Sequence, residues 1–242
     1  MNKDVPLIHC DQLVLDNEIK DELNLTAHTG SIISIIGPDQ DNKSDCLETI
    51  SDVVAAESGH LYLNGIENTK LNKDDWIHMR TQFAYIHANT AILSAANAIQ
   101  NLMLPAIYHK TGERDVLINR AQQLLTDINA GDDLELLPAH LKPEQRFKIA
   151  VARALMLNPR ALLLNSPFTA LELPSIKPFQ QFLLNRVRDQ NLLLILVTHD
   201  IKFALKHSDQ IIYVSEKRML QFDKNNRIQD CDNAEVSDYL AF

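Results

Sequence analysis

The stretch "GPDQDNKSD", Gly37 to Asp45, follows the apolar run "SIISII" and begins like a loop that could hold phosphate. Gly37, Asn42, Lys43 and Ser44 fall on the plan G-x-x-x-x-G-K-[ST], with Asn42 where the second glycine belongs. In such a loop, backbone N–H groups curl around phosphate at a helix N-terminus while the lysine reaches the outer oxygens. The pattern predicts a helix from Ser44. Asn tolerates the left-handed backbone region better than most residues, so Asn42 alone does not abolish the plan. Charge is the greater obstacle, because Asp39, Asp41, Asp45 and Glu48 stand against the single Lys43. At about 5 Å and an effective dielectric near 20, each like-charge pair costs roughly 3 kcal/mol before screening. Two such pairs remove most of the roughly 8 kcal/mol behind micromolar affinity. Taken alone, the segment reads equally well as an acidic turn with a solvated lysine opening a helix.

The elements that must position this loop are legible around it. "LIHCDQLVL" and "LNLTAH" alternate apolar and polar residues like half-exposed strands, whereas "SIISIIG", "ALLLN" and "LLLILVTHD" read as buried ones. "ERDVLINRAQQLLTDINA" sets Val116, Leu117, Ala121, Leu124, Leu125 and Ile128 on one helical face, and "EQRFKIAVARALMLN" reads as a further helix. Buried strands alternating with helices imply an α/β chain with a parallel sheet. The 242 residues form one unit, with an α/β core over about 5–91 and 158–220, a helical lobe over about 92–157 and a short tail over 221–242.

Composition narrows the function classes. Hydrophobic residues make up 45% of the chain, enough for a sizeable core, and a net charge of −9 without a basic block argues against nucleic acid as a partner. Cys10, Cys46 and Cys231 match no metal-ligand spacing and read as reduced thiols in the cytoplasm. No apolar run approaches the roughly 18 residues of a membrane span, and "MNKDVPLIHC" lacks a signal-peptide core.

The block "LKPEQRFKIAVARALMLNPRALLLNSPFTALE" resembles the signature-to-Walker-B region of ABC transporter ATP-binding subunits, and "LVTHD" supplies a switch-type histidine, His199, at the family's interval. The likeness runs from about residue 5 to about 220 and keeps the family's order. It implies an ABC-type nucleotide-binding domain: a P-loop NTPase core with an antiparallel β subdomain and a helical signature subdomain. It also implies head-to-tail dimers, homo- or heteromeric, and an integral membrane permease that holds the chain peripherally on the inner or plasma membrane. Within the likeness, "NLMLPAIYHK" is core plus partner-facing surface.

The residues that carry the family's chemistry have changed. Asn165 stands where the resemblance places a magnesium-ordering aspartate, and Ser166 where it places the glutamate that polarises water. The signature L-S-G-G-Q is replaced by Leu141, Lys142, Pro143, Glu144 and Gln145, which suits a free helix end more than an anion. His87 takes the position of a glutamine that joins metal to membrane partner. The first aromatic ring is Tyr62, so adenine has no obvious platform upstream of the loop. The expectation is a degenerate subunit with no catalytic residues and no metal site. No cofactor is expected, and Gly37, Asn42, Lys43, Ser44 and His87 are vestigial nucleotide contacts. ATP and Mg²⁺ return only under two alternatives, a divergent active ATPase or a clamp that binds ATP without hydrolysing it. Among ABC systems, the sequence leans toward lipoprotein-release and phospholipid-trafficking ATPases, with "SPFTALE" favouring the lipid side.

Overall fold

The computed structural model describes residues 5–87, 89, 91–130 and 135–241. Six strands form the main sheet: β3 (Ile32–Ile36), β6 (Phe83–His87), β7 (Ala161–Asn165), β8 (Leu193–Val197), β9 (Gln210–Val214) and β10 (Met219–Phe222). Their order is β10-β9-β3-β8-β7-β6, parallel except for the β9–β10 hairpin. Every residue of β3, β7 and β8 is buried, because helices and a second sheet cover both faces and leave no side for polar residues. The second sheet is antiparallel, β2-β1-β4-β5, built from β1 (Ile8–Val14), β2 (Leu23–Ala27), β4 (Ser58–Leu63) and β5 (Ile66–Glu67). In β2, buried and exposed residues alternate strictly, as the sequence pattern predicts for a half-covered strand.

The two faces of the main sheet feed two cores. Ile33, Ile35, Leu163 and Ile195 pack with the antiparallel sheet and with helix α1 (Gln40–Ile50). Leu162, Leu164, Leu194 and Leu196 point the other way, toward α3 (Ala98–Tyr108), α4 (Arg114–Asp127), α5 (Pro143–Leu155) and α6 (Leu173–Gln190). Helix α2 (Lys73–Gln82) leads into β6, while α7 (Ile201–His207) and α8 (Ala234–Leu240) close a smaller core around Tyr213 and Val236. No helix among the described residues is long and apolar enough to cross a membrane.

Helix α4 corrects one sequence expectation. Leu117, Ala121, Leu124, Leu125 and Ile128 are buried, but Val116 is 63% exposed. Spacings of three and four keep the first set on one stripe. Val116 is about 100° around the helix from Leu117 and misses it.

Candidate functional site

The phosphate-type loop is shorter than its sequence pattern predicts. Gly37 ends β3 with φ +140°, and a Cβ there would lie 1.9 Å from Val214 O, so glycine is required. Asp39 then caps a helix: its Oδ1 accepts the Asn42 N–H at 2.8 Å, and its carbonyl accepts the Lys43 N–H at 3.4 Å. Helix α1 therefore starts at Gln40 and not at Ser44. The physical reason is local. Neither Gln40 nor Asn42 takes positive φ, and aspartate is among the strongest N-caps, so the helix nucleates one turn early. N–H groups that a wide loop would offer to phosphate are spent on Asp39.

Two of the loop's carboxylates have partners inside the chain. Glu48 is turned to the Tyr85 hydroxyl, which donates to its Oε1 at 2.8 Å, and Asp45 accepts from Asn17 Nδ2 at 3.4 Å. Asn17 Nδ2 also donates to Asn42 Oδ1 at 3.2 Å, while Asn42 Nδ2 donates to Ser215 O at 3.2 Å. These bonds orient Glu48 away from the loop and leave the negative charge of Asp39, Asp41 and Asp45 beside it. What closes the space is the early helix and the Gln40 side chain.

Lys43, Ser44, Asn165, Ser166 and His199 do converge, around Gln40. Lys43 is fully buried, not solvated, and its Nζ donates to Gly37 O at 2.7 Å and lies 3.4 Å from His199 Nδ1. Burial brings its amine down to about 8, against a smaller opposing pull from Asp39. His199 is held below its ordinary range by burial and by the Lys43 charge. Ser44 Oγ donates to Gln40 O at 2.9 Å and lies 3.3 Å from Asn165 Oδ1. Asn165 Nδ2 faces the Tyr85 hydroxyl at 3.5 Å; burial first, then Glu48, pushes that phenol up to about 12, so it remains a donor. Ser166 sits at φ +52° on the turn leaving β7. His87 is in register with Asn165 on the neighbouring strand, and its Nδ1 accepts the Asn89 N–H at 3.1 Å. Tyr62 lies on β4 against His9 and His60.

A magnesium triphosphate does not fit this arrangement. The Gln40 amide occupies the space between Ser44, Ser166 and His199, and Asn165 presents a neutral oxygen where a hard cation would need a carboxylate. No group of three His, Cys, Asp or Glu side chains able to hold a metal occurs among the described residues.

Leu141 to Gln145 form a separate cluster. Leu141 is buried, Lys142 caps α5 through its N–H to Gln145 Oε1 at 2.6 Å, and Pro143 opens the helix. Glu144 is not the free helix-end carboxylate that the sequence suggests. It pairs with buried Lys148 at 2.6 Å and accepts from the Glu172 N–H at 2.7 Å and Ser175 Oγ at 2.5 Å. Burial pushes this carboxyl up, yet the bonds from Lys148, Ser175 and Glu172 outweigh it and hold the group below its ordinary range. The cluster ties the start of α5 to the start of α6.

On the flank of β6 an apolar groove of about 540 Å³ opens between that strand, α3 and α5. Leu104 and Tyr108 are 47% and 75% exposed along it, Arg80 and Arg153 stand at its edges, and its described lining contains no carboxylate. It includes Pro105, Tyr108 and His109 from the stretch singled out in the sequence.

Sequence reading missed Gln40, Tyr85 and the Glu144–Lys148 pair. Asp39 as an N-cap was visible in the sequence; the partners reaching in from β6 and α6 were not.

Known proteins bear on this geometry. The ABC transporter family matches residues 20–169. Among curated relatives, the probable syringafactin export ATP-binding/permease protein SyfD of Pseudomonas syringae pv. tomato is 30% identical over 228 residues, 91% of this chain and 34% of that one. The macrolide export ATP-binding/permease protein MacB of a Shewanella species is 28% identical over 207 residues, 85% of this chain and 32% of the relative. The chain thus spans about a third of the length of these relatives. Two solved structures share the fold. The ATP-binding cassette MJ0796, as a post-hydrolysis dimer bound to ADP and Pi, has a TM-score of 0.76 at 23% identity, covering 88% of this chain and 98% of that one. CbiO1 from Clostridium perfringens has a TM-score of 0.78 at 16% identity, covering 99% and 100%. With the loop, the strand carrying Asn165 and the helical lobe all inside the matched span, and the cassette architecture reproduced around them, this chain belongs to the ABC transporter family.

Proposed function

We propose that the chain is the nucleotide-binding-domain subunit of a membrane export system in which its own ATP hydrolysis is lost, leaving a structural or regulatory role beneath a permease. The observation that carries the reading is the start of α1 at Gln40, with the Gln40 amide lodged among Ser44, Asn165, Ser166 and His199. A site closed in this way lacks both the loop donors for phosphate and the carboxylates for metal and water. The permease partner is supported by the apolar groove, and by relatives whose names join an ATP-binding part to a permease part. An export role is supported by the names of these two relatives. A lipid-class cargo rests on the sequence likeness, chiefly the stretch "SPFTALE". A dimer, with itself or with an intact ATPase, follows the dimeric cassette that shares the fold.

A divergent active ATPase is the second reading, and the 3.4 Å approach of Lys43 to His199 favours it. Calorimetric titration separates the two. The purified chain is expected to bind Mg-ATP no tighter than about millimolar and to release no phosphate; micromolar binding overturns the reading, and phosphate release abolished by Lys43→Ala establishes the rival. Isolation from solubilised membranes should recover a polytopic membrane protein alongside the chain.

A further inference from the structure

The Gln40 side chain has partners on its own helix, at the end of β7 with the turn that follows, and in the turn after β8. Its Nε2 lies 2.9 Å from Ser166 Oγ, 3.2 Å from Ser44 Oγ and 3.4 Å from Asn165 Oδ1. Its Oε1 lies 2.9 Å from His199 Nε2. One end of the amide is therefore a donor ringed by three oxygens, and the other is an acceptor facing an imidazole nitrogen. A divalent cation carrying an anionic oxygen presents the same two ends: hard oxygens gather around the cation, and a ring N–H meets the anion. The carboxamide offers them as a neutral dipole.

The proton directions agree. Lys43 Nζ can only donate, and it lies 3.4 Å from His199 Nδ1. That nitrogen accepts, so the ring proton sits on Nε2 and is given to Gln40 Oε1. Gln40 Nε2 then donates onward to Ser166. The chain runs one way from the α1 lysine to the β7 turn and leaves the histidine neutral.

We infer that Gln40 is a built-in ligand, whose carboxamide takes from within the chain the place of a metal-bound phosphate oxygen and holds the loop, the 165–166 turn and His199 in one arrangement whether or not nucleotide is present. The inference rests on the proposed reading of a closed site and deepens it by naming the positioning residue. The partner subunits then meet a single fixed state of this chain, not one that changes with nucleotide.

Two variants of the full chain test it. Gln40→Glu sets a carboxylate against His199 Nε2, so the ring's titration midpoint, read from its NMR signals, should rise by about one pH unit; a Gln40 that only fills space leaves it unmoved. Gln40→Gly combined with Asn42→Gly removes the amide and frees the loop, and Mg-ATP should then bind at least about tenfold tighter than to the wild type. An unmoved His199 midpoint in Gln40→Glu, or an affinity within about threefold of wild type in the glycine variant, overturns the inference. Micromolar Mg-ATP binding by the wild type would instead remove the closed-site reading on which it rests, a different and separately visible failure.

Discussion

The phosphate-type loop and the β6 groove lie in one domain and treat their polar and apolar groups in opposite ways. In the loop, Asp39, Gln40, Asn42, Lys43 and Ser44 each find a partner inside the chain, down to the Lys43 ammonium on Gly37 O. In the groove, Leu104 and Tyr108 remain open, while the polar groups at its edge, Arg80 and Arg153, are bonded to the backbone oxygens of Asp52 and Ala91. Buried polar groups are costly unless paired, so a polar site is stable without a ligand only if its own side chains supply the contacts. An apolar groove has no such internal solution; what it lacks is a partner's surface. The contrast separates the part of the molecule that has turned inward from the part that still faces outward.

Three experiments sharpen or break this contrast. The largest effect is expected where the inward-turned region buries charge. Lys148→Ala leaves Glu144 without its ion-pair partner, and a loss of about 3 kcal/mol in denaturant unfolding is expected. The double change Glu144→Gln with Lys148→Met should recover most of it. A loss as small as that of an ordinary surface substitution would remove the latch between α5 and α6 from the account.

Next is the Lys43 amine, which titrates at about 8 in the fold against 10.5 in an open chain. Its native pKa lies below the unfolded one, so between those values the unfolded chain binds more protons and stability rises with pH. The full gap corresponds to about 3 kcal/mol. Relative to Lys43→Met, the wild type should therefore gain up to that amount from pH 8 to 10.5, somewhat less in practice because unfolded chains keep residual structure. A difference that stays flat with pH would mean the lysine is solvated and the loop open.

The smallest thermodynamic effect belongs to the outward region. Leu104→Asp with Tyr108→Asp should leave unfolding within about 0.5 kcal/mol of wild type per site while reducing recovery of the membrane partner about tenfold, or about 1.4 kcal/mol. Unchanged recovery would show that this groove does not face the partner.

Much of this was legible in the residues. The fully apolar runs of β3, β7 and β8 imply strands covered on both faces, and Leu117, Ala121, Leu124, Leu125 and Ile128 mark the inner stripe of α4. The substitutions at Asn165, Ser166 and Lys142 to Glu144 already expose the loss of carboxylates and glycines. The phosphate-loop pattern puts the start of α1 at Ser44, whereas the local capping preference of Asp39 puts it at Gln40, where the helix begins. Val116 was misread because it borders the buried stripe.

Types and order of residues determined by themselves the class of fold and the residue types standing at the loop and the 165–166 turn, since periodicity, helix capping and side-chain charge are properties of short segments. Only the tertiary structure decided which partners those side chains meet. The Gln40 amide meets partners from β7 and from the turn after β8, Glu48 turns to a tyrosine on β6, and Glu144 finds its contacts at the start of α6. Hydrogen bonds between elements so distant along the chain depend on how the strands stack side by side, and no local pattern specifies that.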